Sequence, residues 1–261
     1  MAKFIATLLL ILLSPFSISC DENLAKSYLT KLQWQTEDYP PYNYVDNSGN
    51  LVGIFSEILV LTYKQLGLNI NVNDIAVVPW ARLLRNVERY PEYAAFSMVA
   101  TTEREKKYTL VPLPFITKVS IMALSSKFKG SKPIKIKSLD KLNIAVVRGD
   151  IGQSLLNSHK ILATQVETSS ASSMLKMLLY NRVDAIAYSE NVAYFQFEKI
   201  DLKKQKVIPI YLLDGKSLTN FVFHKSTPSC VVSLFEKAIT TLNNEETLEL
   251  VRQKYLKRQV D

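Results

Sequence analysis

The chain has 261 residues, of which 48% are apolar, and it holds no repeat or low-complexity stretch. That excludes a disordered or fibrous protein and leaves one large domain or two smaller ones, each with its own core. The formal charge is +8, but the basic residues are scattered rather than gathered into one stripe, so a nucleic-acid partner is excluded while an anionic solute is weakly favoured.

In chain order, Lys3 precedes an apolar run at 4–13, then Pro15 and small residues up to Ser19. This is the layout of a secretory signal, and the run is too short for a permanent membrane anchor. Residues 1–19 are therefore excluded from fold reasoning. No later stretch is long enough to span a membrane, so the mature chain is expected to be soluble and periplasmic. Removing Lys3 with the signal leaves a charge of +7, from 31 basic against 24 acidic residues.

The two cysteines, Cys20 and Cys230, make neither a zinc site nor a redox pair by spacing. Cys20 stands where a lipoprotein carries its acylated residue, although Ser17 occupies the place of the usual apolar residue. A Cys20–Cys230 disulfide is the alternative in an oxidising compartment, and the two fates exclude each other.

The mature chain alternates short strands with amphipathic helices, which predicts an α/β protein with largely parallel sheets. A first strand at 32–35 ends in a proline-stiffened loop, and Asp46 to Asn50 form a turn. A helix follows at 55–65, then a strand at 70–75. Pro79 opens a helix through Arg85 and Val87, and 94–99 is a buried strand. Thr101 or Thr102 caps a short helix with Glu103 in its first turn. After a strand at 119–124, the Lys-, Ser-, Gly- and Pro-rich stretch 125–137 is the clearest internal boundary. A second α/β unit has strands at 143–147, 183–187, 207–212 and 220–224. Its helices lie at 153–160, after Ser169 to Ser173, and from Ser189 through Phe197. Thr227-Pro228 and then Asn243 or Asn244 begin the two final helices. Crossings between the units fall near 116–125 and 212–222.

Six segments, in this order and spacing, resemble the bacterial extracellular solute-binding proteins of family 3, the polar amino-acid uptake class. They are Glu37-Asp38-Tyr39-Pro40-Pro41-Tyr42, Gly49-Asn50-Leu51-Val52-Gly53-Ile54, Pro79-Trp80-Ala81-Arg82, Thr101-Thr102-Glu103-Arg104-Glu105-Lys106, Asn181-Arg182-Val183-Asp184 and Gln253-Lys254-Tyr255. The resemblance implies a type II periplasmic-binding-protein fold with two lobes, a double-strand hinge and a cleft that closes on a ligand. The first lobe would comprise 20–118 and the C-terminal return 214–261, and the second 119–213. The resemblance further implies a monomer that binds a small-molecule ligand, without cofactor, and presents it to a membrane ABC permease or sensor.

Arg104 is the leading site residue: a guanidinium at a capped helix start matches a carboxylate in two parallel bonds, and in the family this arginine holds the ligand's carboxylate. The resemblance places Tyr39 and Tyr42 in an aromatic wall. Family members that bind α-amino acids carry hydroxyls near positions 97 and 99; Ser97 keeps one, Val99 does not, and Thr101 is the available substitute. Trp80 and Arg82 form a motif of one subgroup, as cleft floor and second cation. The loop Arg148-Gly149-Asp150-Ile151-Gly152 offers N–H groups to the ligand's other end. At Ser189 amino-acid binders usually carry an ammonium-pairing aspartate; here Glu190, one residue on, is the nearest acid, while Ser189 is equally explained as a helix cap. Two alternatives share the scaffold: a sensor component acting in trans, and a dehydratase-type enzyme with Glu190 as its acid.

Overall fold

A computed structural model describes residues 21–128, 134–200 and 206–256. The expected export signal and Cys20 lie outside the described residues. Cys230 is disulfide-bonded.

The first half begins with helix α1 (Glu22–Lys31), capped by the Asp21 carboxylate, which accepts from the Asn23 and Leu24 N–H groups. Strand β1 (Gln33–Thr36) and the small hairpin β2 (Tyr44–Val45) and β3 (Leu51–Val52) follow. Helix α2 (Ile54–Gln65), β4 (Ala76–Val77), α3 (Trp80–Arg89), β5 (Tyr93–Val99), α4 (Thr102–Lys107) and β6 (Tyr108–Ile116) complete this half. Next come β7 (Val119–Leu124), α5 (Ile136–Leu139), β8 (Asn143–Val147), α6 (Ile151–Ser158), β9 (Thr164–Thr168) and α7 (Ala171–Leu179). The chain closes with β10 (Ala185–Ser189), α8 (Glu190–Ile200), β11 (Val207–Asp214), β12 (Leu218–His224), α9 (Ser229–Asn244) and α10 (Thr247–Leu256).

These strands make two five-stranded sheets, ordered β4-β1-β5-β12-β6 and β11-β7-β10-β8-β9. In the first, β1 runs parallel to β4 and β5, and β12 is antiparallel to β5 and β6. In the second, β8 is parallel to β9 and β10, and β7 is antiparallel to β10 and β11. This is the two-lobed α/β architecture of type II periplasmic binding proteins. The chain leaves the first sheet after Ile116 and enters the second at Val119; it returns between Asp214 and Leu218. The two crossovers lie side by side, with the Thr117 N–H donating to the Ser217 carbonyl at 3.1 Å. Two short paired strands are the mechanical form of a hinge.

The first lobe is held by an aromatic core. Trp34 on β1 meets Phe96, Phe221, Phe223 and Phe235 at ring separations of 5.5–6.1 Å. Its indole N–H donates to the Tyr63 hydroxyl at 2.7 Å, and that hydroxyl donates to the Leu29 carbonyl at 2.8 Å, so both buried polar groups are satisfied. The second lobe packs smaller: Ala123, Ala145, Ala185 and Ala187 are fully buried on its strands. Small residues let α6 approach β10 closely, and Gly152 marks the tightest point. A Cβ there would lie 1.9 Å from the Ala187 carbonyl oxygen.

Helices α1 and α5, strand β9 and the β2–β3 hairpin were not expected, and three further elements differ from expectation. Residues 70–75 do not form a strand: the Asn71 side chain accepts from the Asn73 N–H and folds Val72–Asp74 into a 3-10 turn, leaving only β4. Strand β6 was hidden by Pro112 and Pro114, but it is the edge of its sheet, where missing N–H donors are tolerated. Asn243 and Asn244 end α9 rather than begin α10. Among the described residues, no helix is long and apolar enough to cross a membrane.

Candidate functional site

Arg104 on α4 lies where the two lobes touch. Thr101 caps α4 by accepting the Arg104 N–H at 3.2 Å, which engages its hydroxyl oxygen. The residue is 6% exposed. Its guanidinium donates to the Val99 carbonyl at 2.8 Å and, across the cleft, to the Gly149 carbonyl of the second lobe at 3.0 Å. It also lies 5.3 Å from the ring centre of Trp80, a cation–π distance. The Trp80 indole N–H donates to the same Gly149 carbonyl at 2.9 Å. One second-lobe oxygen thus receives two donors from the first lobe, and the lobes are clasped. Gly149 has a φ of +74°, the left-handed region that suits glycine, and a Cβ there would press on Leu84 at 3.3 Å.

The proline loop supplies the neighbouring wall. Tyr39 and Tyr42 stack at 5.5 Å, and Tyr188 at the end of β10 meets Tyr39 edge-on at 5.7 Å. The Tyr42 hydroxyl accepts from Asn191 of α8 at 3.3 Å, a second bond across the lobes. Behind the wall, Ser97 donates to Asn43 Oδ1, and Asn43 donates to the Glu37 carbonyl at 2.8 Å. Ser97 has a φ of +67° inside β5, where the register against β12 shifts between Asn220 and Phe221. It is the extra residue of a β-bulge, a left-handed position of the kind that costs about 1–3 kcal/mol and clusters at sites.

Between the lobes lie two carboxyl groups that the sequence did not single out. Asp150, from the loop before α6, is 5% exposed, and its Oδ2 is buried without a hydrogen-bond partner. Burial raises its pKa, against the opposing pull of Arg104. Glu37, at the end of β1, is partly exposed as a residue, yet its carboxyl is desolvated. Burial and then the charge of Asp150 push it well above the usual carboxylate range. Burial, with the nearby acids, likewise pushes the Tyr39 and Tyr188 phenols up. The Tyr188 hydroxyl and Ser189 Oγ are buried without partners. Tyr39 is near enough to Ser189 to act on it, but the pair misses hydrogen-bond geometry.

Of the residues picked from sequence, Arg104, Trp80, Tyr39, Tyr42, Thr101, Ser189 and the Val99 carbonyl come together here, with Ser97 one layer behind. Ile151 is 1% exposed and packs in the core of the second lobe. Arg82 and Arg148 stay outside: Arg82 is exposed on α3, and Arg148 is exposed and paired with Glu167 at 2.7 Å. Glu190 accepts from Ser120 on β7 at 2.6 Å. Ser189 does not cap α8, because its hydroxyl is orphaned. Of the expected N–H cradle at 148–152, the first three groups are spent: Arg148, Gly149 and Asp150 donate to Thr168, the Gln153 side chain and Val147. The loop instead presents a carbonyl and a carboxylate, so the cleft is richer in acceptors than the sequence suggested.

The family model described as bacterial extracellular solute-binding proteins, family 3, matches residues 34–258. The chain belongs to that family. This solute-binding protein has no match among curated protein sequences. Its fold is similar to a histidine kinase sensor domain with similarity to periplasmic binding proteins, at TM-score 0.75 and 16% identity, covering 87% of this chain and 96% of that one. An amino acid ABC transporter substrate-binding protein from Streptococcus pneumoniae, bound to L-arginine, aligns at TM-score 0.75 and 16% identity over 91% and 99%. An ancestral amino acid-binding protein, a precursor of cyclohexadienyl dehydratase, aligns at 0.70 and 16% over 89% and 98%. At these identities the likeness is one of fold.

Proposed function

We propose that the protein is an exported, periplasmic receptor that closes its two lobes over one small polar solute and presents it to an ABC permease. The observation that carries this reading is the double clasp on the Gly149 carbonyl by Trp80 and Arg104, with orphaned polar groups sealed beside it. Those groups, Asp150 Oδ2, the Tyr188 hydroxyl and Ser189 Oγ, are buried without partners. Each unsatisfied buried group costs about 1–3 kcal/mol, so a polar ligand that supplies the partners stabilises the closed form. Arg104 holds donors that Val99 and Gly149 do not use, and these are free to orient a carboxylate where the solute has one. Among neighbouring folds, binding proteins that carry amino acids agree with this, and the disulfide at Cys230 agrees with an oxidising compartment.

The test is a thermal-shift screen of amino acids, organic acids and small peptides, repeated on Arg104→Ala. At a hundredfold excess over Kd, a bound ligand stabilises by about 2.7 kcal/mol. For a chain of this size that raises Tm by roughly 5–11 °C. Loss of the shift in Arg104→Ala is expected; an undiminished shift removes Arg104 from the site.

A further inference from the structure

Basic residues that lie scattered in the sequence are gathered by the fold of the second lobe. Residues 119–214 hold 14 basic and 8 acidic residues, whereas the rest of 20–261 holds 17 and 16, so six of the seven net positive charges belong to this lobe. Its topology decides where they go. Strands β8, β9 and β10 are parallel, and β7 is antiparallel to β10 and β11. Four strands therefore begin, and β7 ends, at one end of the sheet, while Val119, Gly149, Ser189 and Asp214 stand at the other, beside the cleft and the crossovers. The connections at the distal end are bonded to one another. The Thr164 N–H donates to the Leu142 carbonyl at 3.1 Å, Asp184 to Asn143 at 2.9 Å and Ser125 to Lys206 at 2.8 Å. They form one surface a strand's length, about 17 Å, from the cleft.

Lys135, Lys137, Lys141, Lys160, Arg182 and Lys206 are exposed on that surface, and none has an ion-pair partner among the described residues. The acids of these connections are otherwise engaged. Asp140 accepts the Leu162 N–H at 2.8 Å, and Asp184 accepts the Asn143 N–H at 2.9 Å and pairs with Lys127 at 3.7 Å. Solvation accounts for exposed lysines, but not for the apolar side chains between them. Ile136, Leu162 and Tyr180 are 42%, 79% and 67% exposed in the same connections.

We propose that this distal end docks on an anionic lipid bilayer, with its cations over the headgroup phosphates and Leu162, Tyr180 and Ile136 dipping between them. Five of the six unpaired cations are lysines, point charges that suit a diffuse and fluid anionic surface better than one fixed bidentate partner. Exposed apolar and aromatic side chains beside such charges match the interfacial layer of a bilayer, where a ring or a leucine is buried while the backbone stays wet. A bilayer at this end leaves the cleft open to solute. This goes beyond the receptor reading and does not depend on which solute the cleft takes. Each cation near an anionic leaflet strengthens binding about fivefold, so three acting together give roughly a hundredfold preference over a neutral bilayer.

Co-sedimentation tests this, with vesicles of phosphatidylglycerol and phosphatidylethanolamine in equal parts against vesicles of phosphatidylcholine. The wild-type protein is expected to bind the anionic vesicles roughly a hundredfold more tightly. That preference should fade as salt rises from about 0.1 M to 1 M and the screening length falls from about 10 Å to 3 Å. Lys137→Glu with Lys160→Glu should weaken anionic binding by at least about 25-fold. Lys31→Glu with Lys64→Glu, exposed on the first lobe, makes the same change in net charge and should keep the affinity within about threefold. Leu162→Ser should weaken binding by about threefold or more. All are exposed positions where stability tolerates change, and an unaltered Tm checks that each variant is native. Equal losses in the two charge-reversed pairs would assign binding to net charge and overturn the docking surface. Equal affinity for both kinds of vesicle, or no binding to the anionic ones, would overturn it too. Binding that appears only when the vesicles carry a membrane protein would give this face to a protein partner instead.

Discussion

Replacing Gly152 by alanine forces the start of α6 away from β10. The added Cβ would sit 1.9 Å from the Ala187 oxygen and 2.7 Å from its carbonyl carbon, against a practical limit of 3.0 Å. Both obstacles are backbone in a central strand of the second sheet, so relief requires α6 to shift outward by about 1 Å. Ile151 and Leu156, at 1% and 0% exposure, would lose their fit in the core. Overpacking of this kind costs about 1–3 kcal/mol. At 2–4 °C per kcal/mol for a chain of this size, Tm should fall by roughly 2–12 °C. The shift also carries Asp150 and the Gly149 carbonyl away from Arg104, so the loss of ligand affinity should exceed what stability alone explains. Gly215→Ala is the control: its Cβ meets only Leu212 side-chain atoms at 3.4 and 3.8 Å, and its Tm should change by little. Differential scanning calorimetry on the two variants decides the matter. An unchanged Tm in Gly152→Ala would refute the proposed seating of α6.

Two further substitutions separate core from clasp. Tyr63→Phe removes a hydroxyl that accepts from Trp34 and donates to Leu29, leaving the buried indole N–H unpaired while the Leu29 carbonyl keeps only the Leu32 N–H at 3.3 Å. Urea unfolding should report a loss of about 2–3 kcal/mol, with ligand affinity per folded molecule unchanged. Trp80→Phe keeps a ring beneath Arg104 but deletes the indole donor to Gly149. A net loss of about 1 kcal/mol lowers the closed-to-open ratio by roughly fivefold, and titration calorimetry should show Kd weakened to match; an unaltered Kd would show that the clasp is incidental.

Much of this was legible in the sequence. The alternation of short apolar strands with capped helices led to an α/β protein, and the ordered segments from Glu37 to Tyr255 led to the two-lobed family. Thr101 and Arg104 were found because capping and a basic residue in the first turn are local signals. What escaped was non-local. The Asp150 carboxyl becomes significant only when β8, α6 and the first lobe converge, and in sequence it was a loop residue between glycines. Glu37 was quoted as part of a loop motif, since nothing local shows that its carboxyl comes near Asp150. The hydroxyl of Ser189 looked like a cap because Ser commonly caps helices, whereas its strand directs it into the cleft wall. Arg148 is adjacent to the site in sequence yet pairs with Glu167 on the neighbouring strand β9, because the chain turns at Gly149 directly after β8.

The central claim is closure around a bound solute, and small-angle scattering tests it most directly. With a ligand found by the thermal screen at saturation, the account predicts a smaller radius of gyration than the empty protein shows at neutral pH, and no ligand-dependent change in Arg104→Ala. An unchanged radius for the wild-type protein with its site full would contradict it.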